Sequence, residues 1–393
     1  MNQTEKVKFD TAVNNAVHRY MREKKSTCMY PGCEMEAINS HSISEMSSLE
    51  TLNEQGEDRN LLAPKSRMAY PNKSMLIEDC GIPHASTFKG FCKLHDEMFA
   101  RLDQSGIKSE KDLFRQVFRS LSYHVFREKV IDVIRPKFME KIEKEKLEDE
   151  KLHGEWDSQI AKLIDFGCSN AAEQINKRIE ILDKQRLEVK RFLDIMVDTH
   201  YTYPLTDFTG PEIPVYVVYK RLGFQVPVAV NGKISFTFGD GFSHYVILIC
   251  MPAENTTDFI IITDKEFHAK ETEYLAAIVN DDVYILNLIE RFMVMTDEWW
   301  IKPSIYNNLS EERKRILIED LYCYGEGLDI LGSYDMSIFD ELRLQLIDEL
   351  PDHRRLYELQ KIYELPKRAE LEERKKKIQH KFNQPLFSFE IIG

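Results

Sequence analysis

The chain has 393 residues and a formal net charge of −13, and apolar residues make up 43% of it. This length and composition predict two or three globular domains and exclude a largely disordered chain. The acidic balance excludes a protein that coats nucleic acid indiscriminately, so any such contact must use a local basic patch. Because no apolar run reaches membrane-spanning length and the first residues lack a signal-peptide pattern, the expected location is the cytoplasm.

The first predicted domain, 1–108, contains two separated pairs of metal-ligating residues. One pair is Cys28 and Cys33, and the other is Cys92 and His95. Three thiolates and one imidazole complete the tetrahedral ligand set that Zn²⁺ prefers. Since protein fills all four positions, the predicted Zn²⁺ is structural and carries out no chemistry itself. The glycines and prolines of the insert between the pairs, 45–85, predict a loop with short pieces of regular structure.

The second predicted domain, 109–200, is a helical connector. Apolar residues recur every four positions from Ser109 onward, and Pro136 is expected to end or bend that helix. Over 171–197 the apolar spacing alternates between four and three, which predicts a long heptad-like helix interrupted by Arg186. The pattern fits an intramolecular helix pair or a homodimeric coiled coil, and three or four heptads do not decide between them.

The third predicted domain, 201–393, changes to runs rich in β-branched and aromatic residues. Strands are predicted at 214–219, 225–230, 233–238, 245–250 and 259–263. Asn231-Gly232 is typical of a hairpin turn between the second and third of these. Helices are predicted to follow, and Trp299-Trp300 fits either core packing or stacking on a partner. The predicted fold class is therefore α+β, with a mainly antiparallel C-terminal sheet flanked by helices.

The segments Cys28–Cys33, His41–Ile43 and Cys92–Asp96 together resemble the zinc-stabilised subgroup of HNH nucleases. The resemblance covers the N-terminal segment alone and implies a treble-clef zinc fold that holds a ββα-metal active site. A longer run, from Ala37 to Phe99, also resembles a set of bacterial proteins without an established activity.

The resemblance implies a role for each matched position. The two pairs match the structural zinc ligands, and His41 matches the first signature histidine, which binds the catalytic metal or serves as base. Asp96 stands where the final signature histidine is expected, and a carboxylate there suits Mg²⁺, which favours oxygen ligands. The middle asparagine is missing from its usual place, where this chain has Ser86. Asn60 can take that role only if the insert loops out.

These roles imply a nucleic-acid-acting protein, and metal-dependent phosphodiester cleavage is the sharpest form of that expectation. His41 would be the general base, Asp96 would hold Mg²⁺, and either His84 or the Asn60 amide would orient the phosphate. The predicted contacts to nucleic acid are basic side chains, namely Lys89, Arg119 and Arg127. A bacterial antiviral-defence or mobile-element setting is expected, because HNH-like domains commonly occur in such systems.

A second reading of the same residues is a non-catalytic protein. In that reading Zn²⁺ only stabilises a small binding domain, and the C-terminal α+β domain senses or binds a partner. His41 would then pack against the zinc-binding turn, and Asp96 would cap the helix that carries the last ligand.

Overall fold

A computed structural model describes nine stretches of the chain, namely 25–54, 59–64, 77–153, 158–197, 215–237, 243–265, 280–323, 333–348 and 350–366. The strands within them are β1 (Asn39–His41), β2 (Asn60–Pro64), β3 (Ile77–Gly81), β4 (Thr87–Lys89), β5 (Tyr216–Leu222), β6 (Val228–Thr237), β7 (Ser243–Pro252), β8 (Thr257–Thr263) and β9 (Trp299–Ile301). The α-helices are α1 (Lys93–Asp96), α2 (Ala100–Ser105), α3 (Glu110–His153), α4 (Ser158–Ile195), α5 (Asp282–Met295), α6 (Pro303–Asn308), α7 (Glu311–Cys323), α8 (Asp340–Leu346) and α9 (Asp352–Tyr363). Among these helices, none is both long enough and apolar enough to cross a membrane.

A seven-stranded sheet with the order β3-β2-β9-β6-β7-β8-β5 forms the centre of the molecule. Each neighbouring pair is antiparallel, which confirms the predicted α+β class with an antiparallel sheet. Two strands that the sequence did not predict come from the insert, since β2 and β3 form a hairpin and Leu62 of β2 pairs with Ile301 of β9. The sheet therefore crosses the predicted domain boundary at 108.

The sheet is covered on both faces because its strands alternate buried side chains between two cores. On β7, Tyr245, Ile247 and Ile249 face the core shared with the helical connector and the cysteine-containing segment. Val246 and Leu248 face the opposite core, which the C-terminal helices complete. This alternation follows from the two-residue period of a β-strand. Trp299 and Trp300 are both buried on β9, as in the core-packing alternative.

The predicted hairpin turn at Asn231-Gly232 is wrong, because β6 runs through both residues as one strand of ten. Asn231 is buried, and its Oδ1 accepts hydrogen bonds from Ser120 (2.6 Å) and from His124 (3.3 Å) of α3. A Cβ on Gly232 would lie 2.5 Å from Oγ1 of Thr296. The glycine therefore serves close packing against the end of α5.

The helical connector is an antiparallel pair within the chain. The Phe114 and Phe192 rings lie 5.0 Å apart at one end of the pair, and Arg178 donates to Glu128 over 3.3 Å further along. Helix α3 continues through Pro136, where an end or bend was predicted. The described apolar stripe of α4 is buried within the same chain, as in the intramolecular alternative, and contains Ile175, Leu182, Val189 and Leu193.

A buried ionic network ties the C-terminal helices together. Arg343 of α8 is fully buried and pairs with Glu290 of α5 and Glu358 of α9. Its Nη1 also donates to Oδ1 of Asn287 over 2.7 Å. Lys361 of α9 donates to the same Asn287 oxygen over 2.8 Å. Buried charges persist only when they are paired and hydrogen-bonded, so this network fixes how the three helices pack.

Candidate metal centre and the adjacent histidine site

The first cysteine pair is brought together by a tight turn. The N–H of Cys33 donates to the Tyr30 carbonyl over 3.1 Å, and Pro31 and Gly32 occupy the two central positions. Gly32 has a φ of +77°, which an L-residue rarely adopts, and Pro31 fixes the preceding φ. The N–H of Tyr30 also points at Sγ of Cys28, 3.5 Å away. The Pro-Gly sequence thus shapes the loop so that both sulfurs lie on one side.

The second pair meets the first at the start of α1. Cys92 is the residue before this helix, and its carbonyl accepts the N–H of His95 over 3.0 Å. Nδ1 of His95 lies 3.3 Å from Sγ of Cys92 and 3.5 Å from Sγ of Cys28. Sγ of Cys33 lies 3.9 Å from Sγ of Cys92. All four ligand atoms fall within 4.8 Å of one another.

These separations fit a single tetrahedral ion. Zn–S bonds of about 2.3 Å and Zn–N bonds of about 2.0 Å give ligand–ligand edges of roughly 3.5–3.8 Å. Burial raises the pKa of the Cys28 thiol to about 11, so without a nearby cation this thiol stays protonated. Although burial also acts on Cys92, hydrogen bonds from the backbone of His95 and from the neighbouring cysteines lower the pKa of its thiol. The four side chains could therefore hold a metal ion such as Zn²⁺.

Side chains of helix α4 pack against the turn between Cys28 and Cys33. The Tyr30 ring stacks on the His95 imidazole with 3.7 Å between centroids and 3° between planes. Nζ of Lys190 lies 4.5 Å from the centroid of the Tyr30 ring. Arg186, which interrupts the apolar stripe of α4, donates to the carbonyl of Met29. The interruption in the sequence pattern thus coincides with a contact to the turn between the cysteines.

A two-stranded antiparallel sheet beside the cluster carries His41. Strands β1 and β4 pair antiparallel with His41 opposite Thr87, and α1 follows β4 directly. Nδ1 of His41 lies 3.0 Å from the Ala85 carbonyl, so this nitrogen is the donor. Nε2 lies 3.2 Å from Oε2 of Glu45. Nδ1 is therefore held by the backbone, and Nε2 lies beside a carboxylate that can pair with the ring when it is protonated.

The surroundings of His41 shift its proton affinity and that of Asp96. Burial lowers the pKa of His41, and the Glu45 carboxylate partly offsets this. Burial raises the pKa of Asp96, while a hydrogen bond from Ser40 and the positive charge of Arg119 lower it by less. The charge of His41 also acts on the pKa of Asp96, so the two predicted catalytic side chains share one electrostatic environment.

The backbone beneath His41 is strained at Ser86. Ser86 has a φ of +57°, and it is the one non-glycine residue with positive φ in the described part of the chain. Its Oγ donates to the Ile43 carbonyl over 3.1 Å and accepts the Ile43 N–H over 3.3 Å. Its carbonyl accepts the Ser42 N–H over 2.8 Å. Such strain persists where surrounding bonds over-determine the geometry, and it clusters at functional sites.

The insert hairpin brings further polar residues towards this site. Asn60 begins β2 opposite Gly81, and a Cβ on Gly81 would lie 3.6 Å from Oδ1 of Asn60 and 3.8 Å from the His84 ring. Arg59 donates to Oε1 of Glu45 over 3.0 Å. Sequence reasoning missed Arg59 and Glu45. The one available signal was that Glu45 stands four residues after His41. Because no helix joins the two residues, this spacing does not predict their contact.

The predicted nucleic-acid contacts lie in different environments. Arg119 is 2% exposed and forms two hydrogen bonds of 2.8 Å with the Asp103 carboxylate. Arg127 donates to Oδ1 of Asp297 over 2.7 Å and also pairs with Glu298. Both guanidinium groups thus take part in internal ion pairs and do not form a basic surface. Lys89 is half-buried at the end of β4.

Metal-ligating side chains are grouped at one place in the described ranges. The cluster of Cys28, Cys33, Cys92 and His95 is the one set there of three or more such side chains within ligand distance. His41 and Asp96 do not belong to a second set, so these ranges supply no three-ligand site for the predicted Mg²⁺.

Comparisons with known proteins give no match. A scan against models of protein families matches none to the chain. Searches of the curated proteins and of the solved structures also find no significant match. What the chain does must therefore be inferred from its own residues.

Proposed function

We propose that the N-terminal segment is an HNH-like, treble-clef zinc unit and that the chain cleaves phosphodiester bonds of nucleic acid at His41. The arrangement of elements supports this proposal, since the cysteine turn precedes β1, β1 pairs antiparallel with β4, and the ligand-bearing helix α1 follows β4. The strands β2 and β3 are inserted between β1 and β4. When bound, Zn²⁺ would offset two of the three thiolate charges and tie the cysteine turn to α1. Asp96 follows the ligand His95 directly, so the same link would hold Asp96 near His41.

The orientation of His41 carries the proposal. Because Nδ1–H donates to the Ala85 carbonyl, the neutral ring has its lone pair on Nε2. The side chain is 19% exposed, so a water molecule can approach it. Nε2 would take a proton from that water as the water oxygen bonds to phosphorus, and the Glu45 carboxylate would stabilise the imidazolium that forms. The P–O bond to the leaving oxygen would break, and the leaving oxygen would take a proton from solvent. Since the described residues bring no third ligand to His41 and Asp96, no step of this proposal depends on a bound Mg²⁺.

Nucleic-acid cleavage by purified protein tests the proposal. Supercoiled DNA and single-stranded RNA would each be incubated with wild type and His41→Ala, in Mg²⁺, in Mn²⁺ and in buffer to which neither ion is added. We expect His41→Ala to lose cleavage and keep its zinc content. His353→Ala, which changes an exposed histidine of α9, should cleave like wild type. Absence of cleavage by wild type in all conditions, or full activity of His41→Ala, would refute the proposal.

The pH–rate profile gives a second readout. Glu45 raises the pKa of His41, so Glu45→Gln should lower that pKa further. If His41 is the base, the acidic limb of the profile should move to lower pH in Glu45→Gln, because the base stays deprotonated at more acidic pH. An unchanged acidic limb would assign the base to another group.

A second candidate function is a non-catalytic, zinc-stabilised scaffold. It is favoured by the internal bonding of the segment that follows His41. Oγ1 of Thr51 donates to the Pro252 carbonyl over 3.3 Å, and Gln225 donates to the Thr51 carbonyl over 3.3 Å. This segment therefore joins the β1–β4 pair to the seven-stranded sheet. A scaffold role would appear as loss of stability in His41→Ala without cleavage by wild type.

A further inference from the structure

The Cys/His cluster concentrates negative charge in a buried place. Three thiolates and one neutral imidazole around a divalent cation carry a net charge of about −1. Cys28 and Cys92 are 5% and 4% exposed, so water can screen little of that charge. A buried charge is stable only when positive groups or hydrogen-bond donors face it.

Two cationic side chains of α4 supply such groups. Arg186 and Lys190 are separated by four residues, so they lie on the same face of the helix, and both are buried. Arg186 donates to the carbonyl of Met29, the residue after Cys28. Lys190 lies over the Tyr30 ring, which stacks on the ligand His95.

Packing alone does not account for these two residues. The neighbouring buried positions on α4 are apolar, as at Leu182 and Val189, and an apolar residue would fill the seam without a desolvation cost. Each cation also has a carboxylate on its own helix, Asp183 for Arg186 and Asp194 for Lys190. Both carboxylates are more exposed than the cations they pair with. On the buried side, Arg186 contacts the Met29 carbonyl and Lys190 contacts the Tyr30 ring, so both cations also face the cysteine turn.

We propose that Arg186 and Lys190 are positioning residues that set the metal affinity of the cluster. They oppose its negative charge and hold the cysteine turn in place, so metal binding and the docking of α4 stabilise each other. The inference rests on the metal site of the proposed function and does not depend on nuclease activity. Side chains that contact the metal-binding residues without binding the metal typically contribute 10- to 100-fold in affinity.

Competition for Zn²⁺ against a chromophoric chelator tests this inference on the full chain. Arg186→Gln and Lys190→Gln should each weaken Zn²⁺ binding by about 10- to 100-fold. Matched controls are Arg191→Gln and Lys184→Gln, because both residues are exposed on the same helix. We expect the controls to bind Zn²⁺ as wild type does. Wild-type affinity in both test variants would overturn the inference.

Thermal unfolding with and without Zn²⁺ separates metal support from general packing. Arg186→Gln should lower the Tm of the Zn²⁺-loaded protein more than that of the chelated protein. Equal losses in the two forms would mean that Arg186 only packs, and would overturn the inference. If the chelated wild type shows no unfolding transition, the Zn²⁺ affinities of the test variants relative to those of the control variants decide whether the inference holds. A wild type that binds no Zn²⁺ would refute the metal centre itself.

Discussion

Burial of His124 should make the folded chain less stable as the pH falls. This residue of α3 is fully buried against the sheet, and its Nε2–H donates to Oδ1 of Asn231. Burial, together with the positive charges of Lys233 and Arg127, lowers the pKa of His124 well below its usual value. The folded state therefore holds His124 neutral, while the unfolded chain protonates it near pH 6.5.

The sign and size of the effect follow from that difference. Above about pH 6.5 the ring is neutral in both states and contributes no pH dependence. Below it, the unfolded state binds a proton that the folded state does not, so stability is lost as the pH falls towards the folded pKa. At pH 5.5 the loss due to His124 is about 1 kcal/mol relative to pH 7.5.

Urea unfolding at pH 7.5 and pH 5.5 measures this loss in wild type and in His124→Gln. Glutamine keeps a donor for Asn231 and does not titrate. We expect wild type to lose about 1 kcal/mol more than the variant between the two pH values. His353→Gln should behave as wild type, because that histidine is exposed. Equal losses in wild type and His124→Gln would show that His124 titrates normally in the folded state, against the reasoning above.

Three further substitutions test individual contacts by urea unfolding. Gly232→Ala should destabilise the fold by about 1–3 kcal/mol, because the new Cβ would overlap Thr296; wild-type stability would show that the end of α5 can move. Arg343→Leu should cost about 3–5 kcal/mol by leaving the buried Glu290 carboxylate without its partner, and adding Glu290→Leu should restore part of this. Ser86→Ala should cost about 1–3 kcal/mol, since it removes the side-chain hydrogen bonds to Ile43 and the contact with His41 and keeps the positive φ. Wild-type stability of Ser86→Ala would mean that those bonds do not hold the turn.

Local spacing was enough to predict the parts of the molecule that depend on local chemistry. Cys28, Cys33, Cys92 and His95 stood out because few other residue sets complete a tetrahedral shell, and the structure brings their ligand atoms together. Runs of β-branched residues likewise predicted the strands of the C-terminal sheet, since period and composition are local signals.

The features that sequence reasoning missed depend on distant partners. Asn231-Gly232 has the local signature of a turn, but Ser120 and Thr296 make it a packing site within a strand. Arg186 looked like a defect in an apolar stripe because its partner, Met29, lies 157 residues away. The insert strand β2 likewise pairs with β9, and no local sequence pattern predicts that pairing.

The zinc content of the purified protein tests the central claim most directly. Elemental analysis should find about one Zn²⁺ per folded wild-type chain, because protein-filled sites of this kind bind zinc tightly. Cys92→Ser should lose that zinc, and His41→Ala should keep it. Less than about half an equivalent in folded wild type, or full retention in Cys92→Ser, would contradict the assignment of these four residues as a metal centre.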